Sequence, residues 1–364
     1  MAAMSLRDVR RHVGRLAIAG FAGHAVPPEL RAIAREFDLG GVIYFARNIA
    51  EPAQVRDLSR ECAALAQEWP LWISVDQEGG RVARLRRPFT EWPPMITLGR
   101  CSDDQLAVRF ARALAEELRA VGINLDYTPV LDVHTNPKNP VIGDRALSDR
   151  AADAARLGAL LIEALQGAGV AACGKHFPGH GDTSVDSHYE LPIVEDPPER
   201  LREVEWVPFR AAIAAGVASI MTAHVLVPAL DEERPATLSP VIVEGMLKQT
   251  LGHRGIVFTD DMGMKAISGP EGLGEACVLA LLAGCDAVLL CNQSPDEQVQ
   301  AIEAIIKAVE SGRVPMTRVD DALARQERVK RRFLVAGRPA TEIPLARIGC
   351  EEHQEVAAAM AKWA

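Results

Sequence analysis

The chain has 364 residues, of which 48% are hydrophobic and 24% charged. That length supports one large core or two smaller ones. Its formal net charge of −9 comes with no basic block, which argues against a nucleic-acid partner.

The chain begins with Arg7, Arg10, Arg11 and Arg15 ahead of Leu16-Ala-Ile-Ala-Gly-Phe, a faint likeness to a secretion signal. The apolar run is short, Gly20 interrupts it and His24 follows at once, so the expected location is the cytoplasm. No apolar segment approaches the roughly 20 residues of a membrane span, so no membrane partner is expected. Seven cysteines, an odd number, are scattered without a CxxC pair. Cys173, Cys277, Cys285 and Cys291 lie in apolar contexts and read as buried thiols in a reducing compartment.

Short apolar runs then alternate with long amphipathic patterns. Strands over residues 15–23 and 40–46 precede helices over 28–37 and 52–69. Strands over 71–77 and 123–132 precede helices over 103–122 and 149–169. The pattern continues with strand 170–178 before helix 198–216, and strand 218–225 before helix 240–252. Strands over 255–261 and 286–292 precede helices over 274–284 and 295–312. Most strands are continuous aliphatic or β-branched runs, as expected when both faces are covered. Pro52, Pro198, Pro240 and Pro295 suit first helical turns, and Gly122, Gly169, Gly216, Gly252, Gly284 and Gly312 suit helix ends.

Roughly eight βα units over some 300 residues predict an α/β fold, a TIM-type (β/α)8 barrel. A doubly wound sheet usually carries a Gly-rich phosphate loop after its first strand, and Phe21-Ala-Gly-His-Ala is not one. Residues 1–364 read as a single catalytic domain, with an extra helix over 317–333 and a tail over 334–364 wrapping back on the barrel. The build favours a monomer.

In such a barrel chemistry belongs to the carboxyl ends of the strands. Strand three ends in Asp76-Gln-Glu-Gly-Gly-Arg-Val-Ala-Arg84, and strand four runs into Asp126 and Asp132 before a loop with Asp144 and Arg145. Strand five ends in Lys175 and His176, strand six in His224 and strand seven in Asp260-Asp261. The segment 174–188 alone collects Lys175, His176, His180, Asp182, Asp186 and His188, a density that core packing does not explain. Glu78 reads as loop support, Asp126 and Asp132 as outer support, and Asp261 equally well as a helix N-cap.

Two chemistries fit. Metal-dependent hydrolysis would use the histidines and carboxylates, but the spacing of His176, His180 and His188 matches no standard zinc arrangement, and Arg84, Arg145 and Lys175 add positive charge. No metal and no cofactor is expected. Glycoside hydrolysis needs a carboxylate, a proton donor and groups that grip hydroxyls, all of which are present.

Lys175-His-Phe-Pro-Gly-His-Gly-Asp-Thr-Ser-Val-Asp-Ser-His188 closely resembles the signature of family 3 β-N-acetylglucosaminidases. Val75-Asp-Gln-Glu-Gly-Gly-Arg-Val and Phe258-Thr-Asp-Asp-Met-Gly-Met resemble two further blocks of that family, and the likeness runs from about Gly20 to His353. The resemblance implies a retaining exo-glycosidase. Asp260 would be the nucleophile, His188 the general acid/base and Asp186 its orienting partner. Asp76, Arg84, Arg145, Lys175 and His176 would hold N-acetylglucosamine. The short build is similar to cytoplasmic bacterial enzymes of cell-wall recycling, which implies a small carbohydrate substrate, N-acetylglucosamine linked to an anhydromuramyl peptide.

A histidine donor is physically reasonable, because its ordinary pKa near 6.5 leaves it partly protonated at neutral pH and Asp186 would raise it. Its neutral conjugate base repels an anionic acceptor less than a carboxylate does, so phosphorolysis stands beside hydrolysis. Gly179 and Gly181 imply a flexible loop that closes His188 over the bound sugar. A β-glucosidase, a β-xylosidase and an inactive sugar-binding protein are competing readings of the same residues.

Overall fold

All eight predicted runs contain a strand, each shorter than the apolar segment around it. They are β1 (Ala17–Gly20), β2 (Gly41–Tyr44), β3 (Trp72–Val75), β4 (Leu125–Asp126), β5 (Ala171–Phe177), β6 (Ser219–Thr222), β7 (Ile256–Asp261) and β8 (Ala287–Leu290). The computed structural model describes residues 6–101, 103–183, 191–335 and 342–364. The eight strands close into a parallel barrel in chain order, with β8 returning to β1 through the register Ala17↔Val288 and Ala19↔Leu290. This is the predicted α/β architecture of the TIM type.

Two apolar layers explain why the strands are apolar on both faces. Inside the barrel, Ile18, Ile43, Trp72, Tyr127, Phe258 and Leu289 pack together, with Tyr127 and Phe258 edge to face at 5.7 Å. Outside it, the other strand face meets the helices, as with Leu30, Ile33 and Phe37 of helix Pro28–Phe37. Each such side chain contributes about 1.5–3 kcal/mol by leaving water.

The amino end of the barrel is plugged by helix Met316–Lys330 and the turn after it. Val329 and Phe333 join the interior cluster. Lys330 Nζ donates to Gly40 O at 2.8 Å and stands 5.8 Å from the centre of the Trp72 ring. Gln326 Nε2 donates to Arg15 O at 3.1 Å and Asp286 O at 3.0 Å, tying the entrances of β1 and β8.

The helices depart from expectation where local chemistry intervenes. The predicted helix over 198–216 is two, Pro198–Glu203 and Trp206–Ala214. Pro208 explains the break: a continuous helix would clash its ring with the carbonyl of Val204 and lose a backbone bond there. The helix from Pro52 stops at Ala63. Helices Leu6–Gly14, Ile96–Cys101 and Lys265–Glu271 were not foreseen, nor was a hairpin pairing Gln77–Gly79 with Val82–Ala83. The arginine-rich start is thus helical, with Arg10 reaching Glu303 at 2.5 Å.

The tail ends in helix Glu351–Ala361, which packs on helix Asp104–Ala120. His353 Nδ1 lies 2.9 Å from Glu117 and Nε2 3.1 Å from Glu116. No helix among the described residues is long and apolar enough to cross a membrane.

Candidate active site

The polar groups converge at the carboxyl end of the barrel because the ladder is irregular there. β5 pairs Gly174 with Ile220 and then Phe177 with Thr222, leaving one extra residue on β5. β7 pairs Phe258 with Ala287 and then Asp261 with Leu289, again with one extra residue. Such bulges re-aim side chains that strict alternation would send to opposite faces. Lys175 and His176 lie in the first irregularity and Asp260 in the second. The Lys175–His176 peptide is cis.

Lys175 is 2% exposed and its ammonium lies 2.7 Å from both Asp76 and Glu78. Glu78 in turn takes a two-pronged pair from Arg145, with Nε and Nη2 each at 2.8 Å. Asp76 meets Arg84 at 3.4 Å on its other oxygen, and the Arg84 guanidinium lies 5.3 Å from the Phe45 ring centre. Charges therefore alternate along Arg145, Glu78, Lys175, Asp76 and Arg84. Burial works against ionisation of Glu78, but Arg145 and Lys175 outweigh it and hold the carboxyl far below its usual range. Burial likewise opposes the charge on Lys175, yet Asp76 and Glu78 raise its pKa well above that of an ordinary lysine. The sealed member is Glu78, whereas the Asp76 and Arg84 side chains remain 16% and 27% exposed.

Gln77 braces this chain of charges. Its amide oxygen accepts from the Arg84 and Leu85 N–H groups, and its backbone N–H donates to Asp126 at 2.9 Å. Burial pushes the Asp126 carboxyl well above its usual range.

Asp132 organises the other wall. One oxygen accepts the His176 backbone N–H at 3.1 Å and its ring Nδ1–H at 2.7 Å; the other accepts the His180 backbone N–H at 2.7 Å. The carboxylate acceptor fixes the His176 tautomer and leaves its Nε2 without a partner among the described residues. Burial lowers His180 to about 4, and its Nδ1 lies 2.6 Å from Thr183 Oγ1. Asn139 Nδ2 ties His180 O, Gly181 O and Thr183 Oγ1. A Cβ on Gly181 would lie 1.7 Å from Val133 O. Within residues 179–183, then, Gly181 serves close packing, where loop freedom was expected.

Asp260 ends β7. Burial raises its carboxyl, but His224, His176, the Asp261 N–H and Lys175 together hold it below the usual range. Its Oδ1 accepts that N–H at 2.8 Å. His224 is itself lowered, by burial first, and its Nε2 lies 3.1 Å from Asp261 O. A carbonyl only accepts, so Nε2 carries the proton, while Nδ1 lies 2.8 Å from the Thr237 hydroxyl, which donates to Ala223 O at 3.0 Å. Asp261 is not a helix N-cap, because Met264 occupies that position for helix Lys265–Glu271. Its carboxylate ties the Gly263 and Cys291 N–H groups and the Asn292 side chain instead.

Residues 9–329 match the family model described as the glycosyl hydrolase family 3 N terminal domain. The chain belongs to glycosyl hydrolase family 3. A β-hexosaminidase of Nitrosomonas eutropha is 39% identical over 320 residues, covering 85% of this chain and 91% of its own. A family 3 β-N-acetylglucosaminidase from a Paenibacillus species is 44% identical with TM-score 0.93, covering 99% of this chain and 69% of that one. NagZ from Neisseria gonorrhoeae, solved with N-trifluoroacetyl-D-glucosamine, is 32% identical with TM-score 0.81, covering 96% of this chain and 97% of that one.

In this family 3 hydrolase the structure brings together Asp76, Arg84, Arg145, Lys175, His176 and Asp260. Asp186 and His188 lie outside the described residues. Two contributions were missed. Arg145 is not a free hand, since Glu78 engages it; the Glu78-Arg145 pairing spans 67 positions and leaves no local sequence signal. Phe45, beneath Arg84 and Arg47, carried only the weak signal of an aromatic residue just past a strand.

Proposed function

We propose that this glycoside hydrolase is a retaining exo-β-N-acetylglucosaminidase acting through a covalent glycosyl–Asp260 intermediate. The observation that carries the reading is Asp260 itself, a half-buried carboxylate held below its usual pKa range at the barrel mouth beside Lys175, His176 and His224. A nucleophile must be anionic to attack the anomeric carbon. Oδ1 is engaged by the Asp261 N–H, which leaves Oδ2 for the attack.

Asp76 and Arg84, the accessible members of the alternating charges, would take the vicinal hydroxyls of the terminal sugar, with Lys175 between them. Arg145 would act chiefly by holding Glu78, and His176 would offer the Nε2 that Asp132 leaves open. His188, oriented by Asp186, would protonate the leaving oxygen and then activate water for hydrolysis of the ester. The names of the related enzymes support N-acetylglucosamine as the sugar, and an anhydromuramyl peptide as the leaving group fits the resemblance to cell-wall recycling enzymes. All seven cysteines are free thiols, which supports a reducing cytoplasm. A monomer fits the closed barrel.

The test is release of 4-nitrophenol from its N-acetyl-β-glucosaminide and its β-glucoside, with and without EDTA. The acetamido sugar alone should be cleaved, indifferently to EDTA, with kcat for Asp260→Asn down by about 10^4-fold or more. Cleavage of neither sugar, or full activity in Asp260→Asn, would overturn the reading.

A further inference from the structure

Among the described residues, hydrogen bonds do little to aim the Arg84 guanidinium. It meets Asp76 at 3.4 Å, long for a charge-assisted bond. Its Nε is buried and donates to none of the described residues. The Arg84 backbone N–H donates to Gln77 Oε1 at 2.8 Å, which fixes the main chain and leaves the head group unoriented. What remains is the Phe45 ring, whose centre lies 5.3 Å from the Arg84 Cζ. A guanidinium over an aromatic face is held by the ring quadrupole and keeps its N–H edges open for a ligand.

Phe45 is itself firmly placed. It follows β2 and opens a short turn in which its backbone N–H donates to Asn48 Oδ1 at 2.9 Å. The buried Asn48 ties that turn to the segment after β1, through Phe21 O at 3.1 Å and Gly23 O at 3.0 Å. Arg47 also lies over the half-buried ring, with its Cζ 4.5 Å from the centre. Each Arg47 nitrogen donates to the protein: Nε to Phe21 O at 2.9 Å, Nη1 to Asn292 Oδ1 at 2.8 Å and Nη2 to Cys291 O at 2.6 Å. Asn292 Nδ2 continues to Asp261 Oδ2 at 3.1 Å, and the Asp261 N–H reaches Asp260 at 2.8 Å. A chain of contacts therefore runs from Arg84 through Phe45 and Arg47 to the residue beside Asp260.

We propose that Phe45 and Arg47 are positioning residues, which set the Arg84 guanidinium for the sugar without touching the sugar themselves. This rests on the reading of Arg84 as a sugar-binding group and adds the device that aims it. Arg47 is the post, because its hydrogen bonds are spent on the segments that follow β1 and β8. Phe45 is the plate on which Arg84 rests. Two guanidiniums at one ring repel, and each is met by an acceptor: Asp76 for Arg84, backbone carbonyls for Arg47. Without the ring, Arg84 keeps only its long contact to Asp76 among the described residues.

Phe45→Leu keeps an apolar side chain and removes the ring face, Phe45→Tyr keeps the face, and Arg47→Ala removes the post. KM and kcat are measured on the 4-nitrophenyl N-acetyl-β-glucosaminide, in the wild-type and Arg84→Ala backgrounds. Loss of the ring contact predicts KM up by about five- to thirtyfold in Phe45→Leu, with kcat within about twofold and Phe45→Tyr close to wild type. Arg47→Ala should raise KM by about three- to tenfold. In the Arg84→Ala background neither substitution should lower kcat/KM by more than about twofold, because the group they place is gone. Losses of equal size in both backgrounds would overturn the inference, since they would mean a general structural role or a direct contact with substrate. An unchanged KM in Phe45→Leu would overturn it as well. Should Phe45→Leu fail to fold, the Arg47→Ala comparison across the two backgrounds decides alone. A wild type inert toward this glycoside would sink the proposed function and the inference with it; additive losses in an active enzyme would sink the inference alone.

Discussion

Glu78 separates two roles that a charged residue in an active site can play. It is sealed from solvent, touches both Arg145 and Lys175, and has no free edge for a ligand. Glu78→Gln keeps the shape and deletes the charge. Lys175 would retain Asp76, but Arg145, whose side chain is 10% exposed, would lose the one carboxylate it meets among the described residues. Uncovering a buried cation in this way costs about 3–5 kcal/mol. For a protein of this size that corresponds to a fall in Tm of about 4–7 °C. Thermal unfolding by circular dichroism, repeated across pH, reads the effect. The folded carboxyl titrates far below its reference of 4.5, so the wild-type advantage is complete above that value and is lost only as pH falls toward the depressed one. The gap between wild type and variant should therefore be flat from pH 8 to about 5 and narrow below it. A loss of Tm under about 1 °C, or a gap that closes between pH 8 and 6, would refute the reasoning.

Lys330 offers the opposite sign. Burial, chiefly, lowers its pKa from 10.5 to about 7, so its burial is costly at neutral pH and the cost fades as pH rises toward 10.5. Gly40 O, its acceptor, also takes the Trp72 N–H. Lys330→Met should raise stability by about 2–4 kcal/mol at or below pH 7, with little gain at pH 10; a uniform gain, or none, contradicts the assignment. Phe258→Ala should cost about 3–5 kcal/mol in urea unfolding by emptying the barrel interior against Tyr127; a cost below about 1 kcal/mol would mean that the interior collapses around the gap. Asp132→Asn should lower kcat/KM by about 100-fold through misplacement of His176. An unchanged pH profile and rate would show that His176 needs no such brace.

The barrel was legible because a strand buried on both faces writes itself as an unbroken apolar run, and because proline and glycine punctuate the helices. All six glycines read as helix ends have positive φ, among them Gly284 at 114°. The broken helix at Glu205 has its signal in Pro208, which an amphipathic pattern running through it conceals. Residues at strand ends were legible as a group, since Asp76, Lys175, His176 and Asp260 each follow an apolar run. Their partnerships were not. Glu78 meets Arg145 across 67 positions, and Asp132 meets His176 across 44, distances over which local pattern carries no information. The bulges in β5 and β7 were equally hidden, because a bulge is a relation between two strands.

The seam between β1 and β8 bears on how the molecule is made. Seven strands leave the ribosome before the eighth, and the curling sheet meanwhile has two open edges. Open edges pair with whatever strand arrives first, including those of neighbouring nascent chains. Gln326 and Lys330, which clamp the entrances of β1, β2 and β8 from below, emerge later still. Closure therefore waits until residue 330 has emerged, and a chain cut before residue 326 would lack both the clamp and the Val329 and Phe333 side of the plug.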